Sequence, residues 1–182
     1  MKYAVTTAPT VEPVALADAK IHLRTVTGDT SEDSAIITPL LTAAREYCEN
    51  ATGRALVEQT IKAYPDSWGL WRLPRPPITT ITSVKYYDTD DTEYTLAATD
   101  YQFDAVDGQI LILEAPTVEL RKLNPIVVEY TAGYSTCPKT IRQAMLLLIA
   151  YWYAERGDTT TVDESTERAV KRLLRQYKVW WY

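Results

Sequence analysis

Apolar positions along the chain follow a helical period at both ends and an alternating one in the middle. Leu16, Ala19 and Leu23 share one face of a helix predicted over residues 15–24, with Pro13 just ahead as a start signal. A loop with Gly28 and Asp29 follows. A second helix is predicted over 31–52, where Thr30 and Asp33 have capping-box spacing. Ile36, Ile37, Leu40, Leu41, Ala44, Tyr47, Cys48 and Ala51 form its apolar stripe, and Gly53 is placed to end it. Pro39 interrupts the pattern and predicts a bend.

From residue 54 to 134 the period shortens. Ala55, Val57, Gln59 and Ile61 alternate, and residues 78–87 are rich in Thr, Ile, Val and Tyr. Shorter strands are predicted at 93–96, 101–103, 109–113 and 126–131, with a turn at 88–92. Leu73-Pro74-Arg75-Pro76-Pro77 is too stiff for a central strand and predicts a connector or an edge. Helix returns at Pro138 and runs to about 156, where Gly157 stops it. Residues 144–154 are apolar on every face, so that helix needs cover all round, a neighbouring subunit included. After a polar linker at 157–164, a last helix starts near Ser165, with Ala169, Val170, Leu173, Leu174 and Tyr177 as its stripe.

The expected fold class is α+β: about four helices, with an antiparallel sheet or small barrel inserted between the second and third long ones. The expected organisation is a helical part at 1–53, a β-rich lobe at 54–134, a third core helix at 135–157, and a linker, basic helix and aromatic tail at 158–182.

Composition narrows the function. The chain has 182 residues and a formal net charge of -5, which disfavours a general nucleic-acid binder or attraction to an acidic membrane. The N-terminus lacks the apolar run of a signal peptide, and no apolar run is long enough to span a bilayer, so a soluble protein made in the cytoplasm is expected. Cys48 and Cys137 have no metal or redox spacing, and a reduced compartment is expected. The single histidine, His22, reads as a helix-surface or packing residue, because it has no second histidine or nucleophile motif near it. Neither Walker loop nor G-x-G-x-x-G occurs. No catalytic residue, cofactor or metal is expected, and the chain is not expected to be an enzyme.

Charge is segregated. Between residues 83 and 119, Asp88, Asp90, Asp91, Glu93, Asp100, Asp104, Asp107, Glu114 and Glu119 face a single Lys85, without a calcium-loop pattern. The last helix is basic through Arg168, Lys171, Arg172, Arg175 and Lys178, and the chain closes on Val179-Trp180-Trp181-Tyr182. Thirteen tyrosines and five tryptophans against one phenylalanine suit ordinary sheet packing, or surfaces that are wet before assembly and buried after it.

The order of short motifs resembles the head–tail connector (adaptor, or head-completion) proteins of tailed bacteriophages, prophages and gene-transfer agents. Glu12-Pro13-Val14 leads into Ala19-Lys20-Ile21-His22-Leu23-Arg24. Ala43-Ala44-Arg45-Glu46-Tyr47-Cys48-Glu49 and Thr52-Gly53-Arg54-Ala55-Leu56 are similar to the family's second helix and its exit. Leu73-Pro74, Pro77-Ile78 and Val84 resemble the strand entry. Val127-Val128-Glu129-Tyr130-Thr131-Ala132-Gly133-Tyr134, Pro138 with Ile141, and Tyr151-Trp152-Tyr153-Ala154-Glu155-Arg156 resemble the third helix and its approach. Pro39 and the Trp-Trp-Tyr ending depart from the pattern.

The resemblance implies a homomeric ring, usually a dodecamer, docked beneath the portal, with DNA passing through without sequence-specific binding. It implies a place in the virion neck, portal and downstream stopper or tail-completion partners, and no membrane. Joined to the physics of ring closure, it assigns three residue sets. Tyr47, Arg54, Leu147, Tyr151, Trp152 and Tyr153 are expected at the subunit interface. Arg168, Lys171, Arg172, Arg175, Tyr177, Lys178, Val179, Trp180, Trp181 and Tyr182 are expected to dock on the portal. Asp88, Asp90, Asp91 and Glu93 are expected to face the lumen or the next neck protein. Removing residues 179–182 is expected to spare the subunit fold. The alternatives are an aromatic-rich carbohydrate- or peptide-binding β module and a hydrolase working through paired carboxylates.

Overall fold

A computed structural model describes residues 1–25, 31–155 and 164–180. The Thr30 cap, the Gly28 loop, the Gly157 stop, the linker and Trp181–Tyr182 lie outside the described residues. Two compact units result, one from Met1–Pro9 with Glu58–Ser135, the other from Thr10–Val57 with Thr136–Trp180.

The first unit is built on antiparallel sheet, with one 3-10 turn at Ala98–Asp100. Its strands are β1 (Lys2–Thr7), β2 (Gln59–Tyr64), β3 (Leu70–Arg72), β4 (Ile78–Tyr87), β5 (Glu93–Thr95), β6 (Tyr101–Asp104), β7 (Gln109–Ile112) and β8 (Ile126–Ala132). They form an open five-stranded sheet in the order β1-β2-β8-β4-β5 and a three-stranded sheet in the order β3-β7-β6. The sheets do not close, so the small-barrel alternative is set aside. Strand β8 is central, and its Ile126, Val128, Tyr130 and Ala132 alternate inward. Ile61 pairs with Tyr130, and Ala63 and Val84 both pair with Val128, which fixes one buried apolar face. The Tyr130 hydroxyl donates to the Pro74 carbonyl at 2.8 Å, anchoring the Pro-rich connector.

Strand β1 lies within a stretch assigned to the helical part on sequence. It pairs with β2 as an edge, Lys2 to Val5 lying opposite Tyr64 to Ile61. Edge position leaves all six residues exposed, which is why its apolar signal is weak. Gly108 closes the β6–β7 turn at φ 64°, where a Cβ would stand 3.2 Å from Ile78 Cγ1.

The second unit holds α1 (Leu16–Leu23), α2 (Ser31–Thr52), α3 (Lys139–Ala154) and α4 (Glu164–Leu174), with a 3-10 turn at Arg175–Tyr177. In α2 the face turned inward is Ile37, Leu41, Ala44, Arg45, Cys48, Glu49 and Thr52. Ile36, predicted on the stripe, is exposed. Pro39 sits inside the helix and withholds an amide from the Ala35 carbonyl. Both residues are exposed, so water can satisfy that carbonyl. Along α3, Ile141, Ala144, Met145, Leu148 and Ile149 are buried, Leu147 and Tyr151 are half-buried along one flank, and Trp152 and Tyr153 are half-buried in the last turn, turned toward α2.

The polar centre of this unit is Arg45, whose side chain is only 8% exposed. Its Nε meets Glu12 at 3.0 Å and its Nη1 meets Glu49 at 3.0 Å. Glu12 also accepts from the Thr42 hydroxyl at 2.9 Å. The second Glu49 oxygen accepts the Leu56 amide at 2.9 Å. A guanidinium taken out of water needs such partners.

Removing that guanidinium leaves two carboxylates facing one another. Arg45→Ala is expected to cost about 3 kcal/mol or more. The Arg45→Ala/Glu49→Ala pair should cost less than the sum of the two single changes. Urea unfolding midpoints check both, and additive effects would rule out the coupling.

Candidate functional site

The C-terminal segment is tied to the end of α2. Gly53, at φ 71°, terminates that helix with its amide on the Glu49 carbonyl at 2.8 Å. Carbonyls in a last helical turn lack helical partners. The Thr52 carbonyl receives the Val179 amide at 2.8 Å, and Arg54 Nε donates to the Tyr177 carbonyl at 2.6 Å. Val170, Leu174 and Val179 are buried beneath. Arg54 and Val179 therefore hold the segment in place, and a truncation that spares the fold starts at Trp180.

The exposed side of the same segment is basic. Arg168 and Lys171 pair with Glu164 and Glu167 one turn earlier, at 2.7 and 2.6 Å. Arg172 and Arg175 have no ion-pair partner among the described residues. Lys178 Nζ lies 4.8 Å from the centroid of the Trp180 ring, and Trp180 is 73% exposed.

Trp180 stands between two hollows. One, of about 430 Å³, is lined by Tyr47, Ala51, Lys171, Leu174, Arg175, Lys178 and Trp180. The other is shallower and is lined by Thr140, Arg172, Leu173, Arg175, Gln176 and Trp180. Tyr47, assigned on sequence to the subunit interface, thus lies with the residues assigned to portal docking. Its ring stands edge-on to Trp152 at 6.4 Å. Burial pushes its hydroxyl pKa up, and Glu167 adds to the shift. Ala51 and Thr140 were not anticipated. The one available signal was the i, i+4 spacing of Tyr47 and Ala51 on α2.

The rest of the interface set divides. Tyr153 donates its hydroxyl to Asp33 at 2.8 Å, and Leu147 and Tyr151 lie on the half-buried flank of α3. His22 is exposed at the end of α1. Cys48 and Cys137 are buried, and burial pushes their thiols up to about 12 and about 11, which suppresses the reactive thiolate.

In the sheet unit, the acidic turn is largely satisfied from within. Asp88 Oδ1 accepts the amides of Asp90 and Thr92 at 2.9 Å each, and Oδ2 accepts the Tyr94 hydroxyl at 3.1 Å. Glu93 meets Lys85 Nζ and the Tyr87 hydroxyl, both at 2.6 Å. Asp91 meets Arg121 at 3.2 Å, and that guanidinium lies 3.8 Å over the Tyr87 ring. Trp71, Trp68, Tyr86 and Tyr94 form a contiguous row of ring contacts. Trp71 is buried, and Trp68 Nε1 is a buried donor without an acceptor among the described residues. Among the described residues no group of three or more His, Cys, Asp or Glu is placed to hold a metal ion, and no helix is long and apolar enough to cross a membrane.

A model of the head completion protein family matches residues 22–169. No curated protein matches the chain. Among solved structures, the neck of an empty gene transfer agent particle computed with C6 symmetry contains a chain similar over its whole length. The TM-score is 0.80 at 24% identity, covering 100% of this chain and 97% of the other. A chain in the virion of a native gene transfer agent particle gives 0.77 at 22%, covering 100% and 97%. One in the neck of a native particle computed with C12 symmetry gives 0.70 at 22%, covering 98% and 97%. At these identities the likeness is one of fold.

The turn amides, with the Tyr94 hydroxyl, hold the Asp88 carboxyl below the usual carboxylate range, the Thr92 amide most of all. A depressed folded pKa means that the turn's contribution is complete above the ordinary aspartate pKa. It is lost as pH falls through the lower folded value. The Asp90 and Thr92 amide resonances should therefore titrate at a pH below that of an ordinary aspartate. This titration should vanish in Asp88→Asn, and a normal midpoint would contradict the geometry.

Proposed function

The chain belongs to the head completion protein family, and on that premise we propose that it is a structural connector of the virion neck in a tailed phage or phage-like particle. The observation that carries this reading is the agreement of two lines over most of the chain. The family model spans both units, and the full-length fold likeness is to chains from gene transfer agent necks. The protein is made in the bacterial host cytoplasm and built into the particle between capsid and tail. Its role is assembly, not catalysis.

Copies of the chain form a homomeric ring, a dodecamer, that docks on the portal and extends the DNA channel toward a downstream stopper or tail-completion protein. The C12 symmetry with which one similar neck was computed supports the ring number. A ring closes through heterologous contacts, and the half-buried flank of α3, with Leu147 and Tyr151, supplies apolar area for one side. The docking face is the exposed side of α4 and its extension, where Arg172, Arg175, Lys178 and Trp180 project, followed by Trp181 and Tyr182. Exposed tryptophan and arginine are residues that anchor interfaces when buried by a partner. The turn carrying Asp88, Asp90, Asp91 and Glu93 faces the lumen or the next neck protein. With most of its carboxylates engaged it presents a closed, weakly acidic surface past which DNA slides.

Removing Trp180 to Tyr182 should leave the circular dichroism spectrum and unfolding midpoint of the subunit unchanged while abolishing attachment to DNA-filled heads. Attachment at the normal level would overturn the docking face. Particle images of the purified protein, alone and mixed with portal, should contain closed rings, and a strictly monomeric species in both samples would overturn the ring.

A further inference from the structure

We infer that the hollow between α2 and the C-terminal segment is a receptor for an acidic polypeptide segment of another protein, held by one large apolar side chain. This deepens, and rests on, the reading of the C-terminal face as a docking surface.

The hollow has two chemistries. Tyr47, Ala51 and Leu174 supply an apolar floor from two helices, with Leu174 almost fully buried. Arg175 and Lys178 stand on its rim, and Arg172 lies one helical turn from Arg175 along the adjoining hollow. The nearer cation, Lys171, is already held by Glu167. Among the described residues, the cations of this face without an ion-pair partner therefore lie on the Trp180 side. Trp180 itself is exposed and lies against Lys178, so an incoming chain meets an aromatic wall beside the cations. A volume of about 430 Å³ admits one large side chain and its neighbouring backbone.

Charge complementarity selects an acidic occupant. The apolar floor with the chain's net charge of -5 selects a polypeptide, and a nucleic-acid strand stacking its bases on Trp180 is the competing outcome of the test. The acidic turn of a second copy is a poor match. Asp88 is engaged by turn amides, Glu93 by Lys85 and Tyr87, and Asp91 by Arg121. With only Asp90 of that turn's four carboxylates left over among the described residues, the occupant is assigned to a segment of a different protein.

Fluorescence anisotropy on the full-length protein tests this with fluorescein-labelled synthetic peptides. One probe is a Glu/Asp peptide with a single central Trp, and its counterpart carries Gly in place of the Trp. A labelled single-stranded oligodeoxynucleotide is the third probe. The Trp peptide should bind about tenfold more tightly than the Gly peptide, since it buries one large apolar side chain. Its affinity should fall with added salt. R175E/K178E alters exposed positions only and should abolish binding of both peptides with the helical dichroism unchanged. Ala51→Phe should bring the Trp peptide down to the level of the Gly peptide.

Equal affinity of the two peptides would overturn the proposal by reducing the site to charge alone. Tighter binding of the oligonucleotide than of either peptide would overturn it in favour of a nucleic-acid surface. So would binding indifferent to R175E/K178E, which would place it elsewhere. These readings need no particle, so they separate from the docking face. Failure of the wild-type protein to bind the Trp peptide, with head attachment still lost on removing Trp180 to Tyr182, overturns the pocket alone.

Discussion

Arg45 lies inside the helical unit between Glu12, ahead of α1, and Glu49, one turn further along α2. Two carboxylates around one guanidinium would repel without it, and a guanidinium at that depth would be expelled without them. Because Glu49 also takes the Leu56 amide, the same ion group sets the path of the chain as it leaves α2. That path places Gly53 and Arg54 where the C-terminal segment returns, with the Val179 amide on Thr52 and Arg54 on the Tyr177 carbonyl. The basic face and its hollow thus rest on a charge network several residues beneath them.

The two surfaces richest in charge use it in opposite ways. In the acidic turn, hydrogen bonds from Lys85 and Tyr87 hold the Glu93 carboxyl below its usual range, and the amides of the turn do the same for Asp88. Its charge is a structural device for closing a hairpin. Among the described residues, the ion pairing on α4 stops after Lys171, and the cations beyond it lie alongside an exposed indole. The connector role proposed above, holding a partner while DNA passes, calls for one adhesive face and one that is not.

Some of this was legible in the chain. Periodicity located α2 and α3, the alternating residues 126–131 located β8, and the clustering of Arg and Lys after residue 167 marked the basic face. Strand β1 escaped because an edge strand buries too little to leave a pattern. Ile36 was placed on the buried stripe and Arg45 and Glu49 were not, since a hydrophobicity pattern counts a paired ion as surface. The hollow escaped because Tyr47 and Ala51 lie more than a hundred residues from Lys178 and Trp180.

By itself, then, the sequence determined the α+β class, the helical segments and most of the strands, though neither β1 nor β3, the segregation of charge and the order of motifs that resembles the connector family. All of these follow from local preference and from periods of two or 3.6 residues. Only the tertiary structure decided that the sheets stay open, that Arg45 is the centre of a buried network, and that the acidic turn is satisfied from within. It also decided that Tyr47 shares a hollow with the C-terminal cations. Each of these depends on which distant side chains meet, and pairing across the chain is fixed by packing and desolvation, which leave no periodic trace in the sequence.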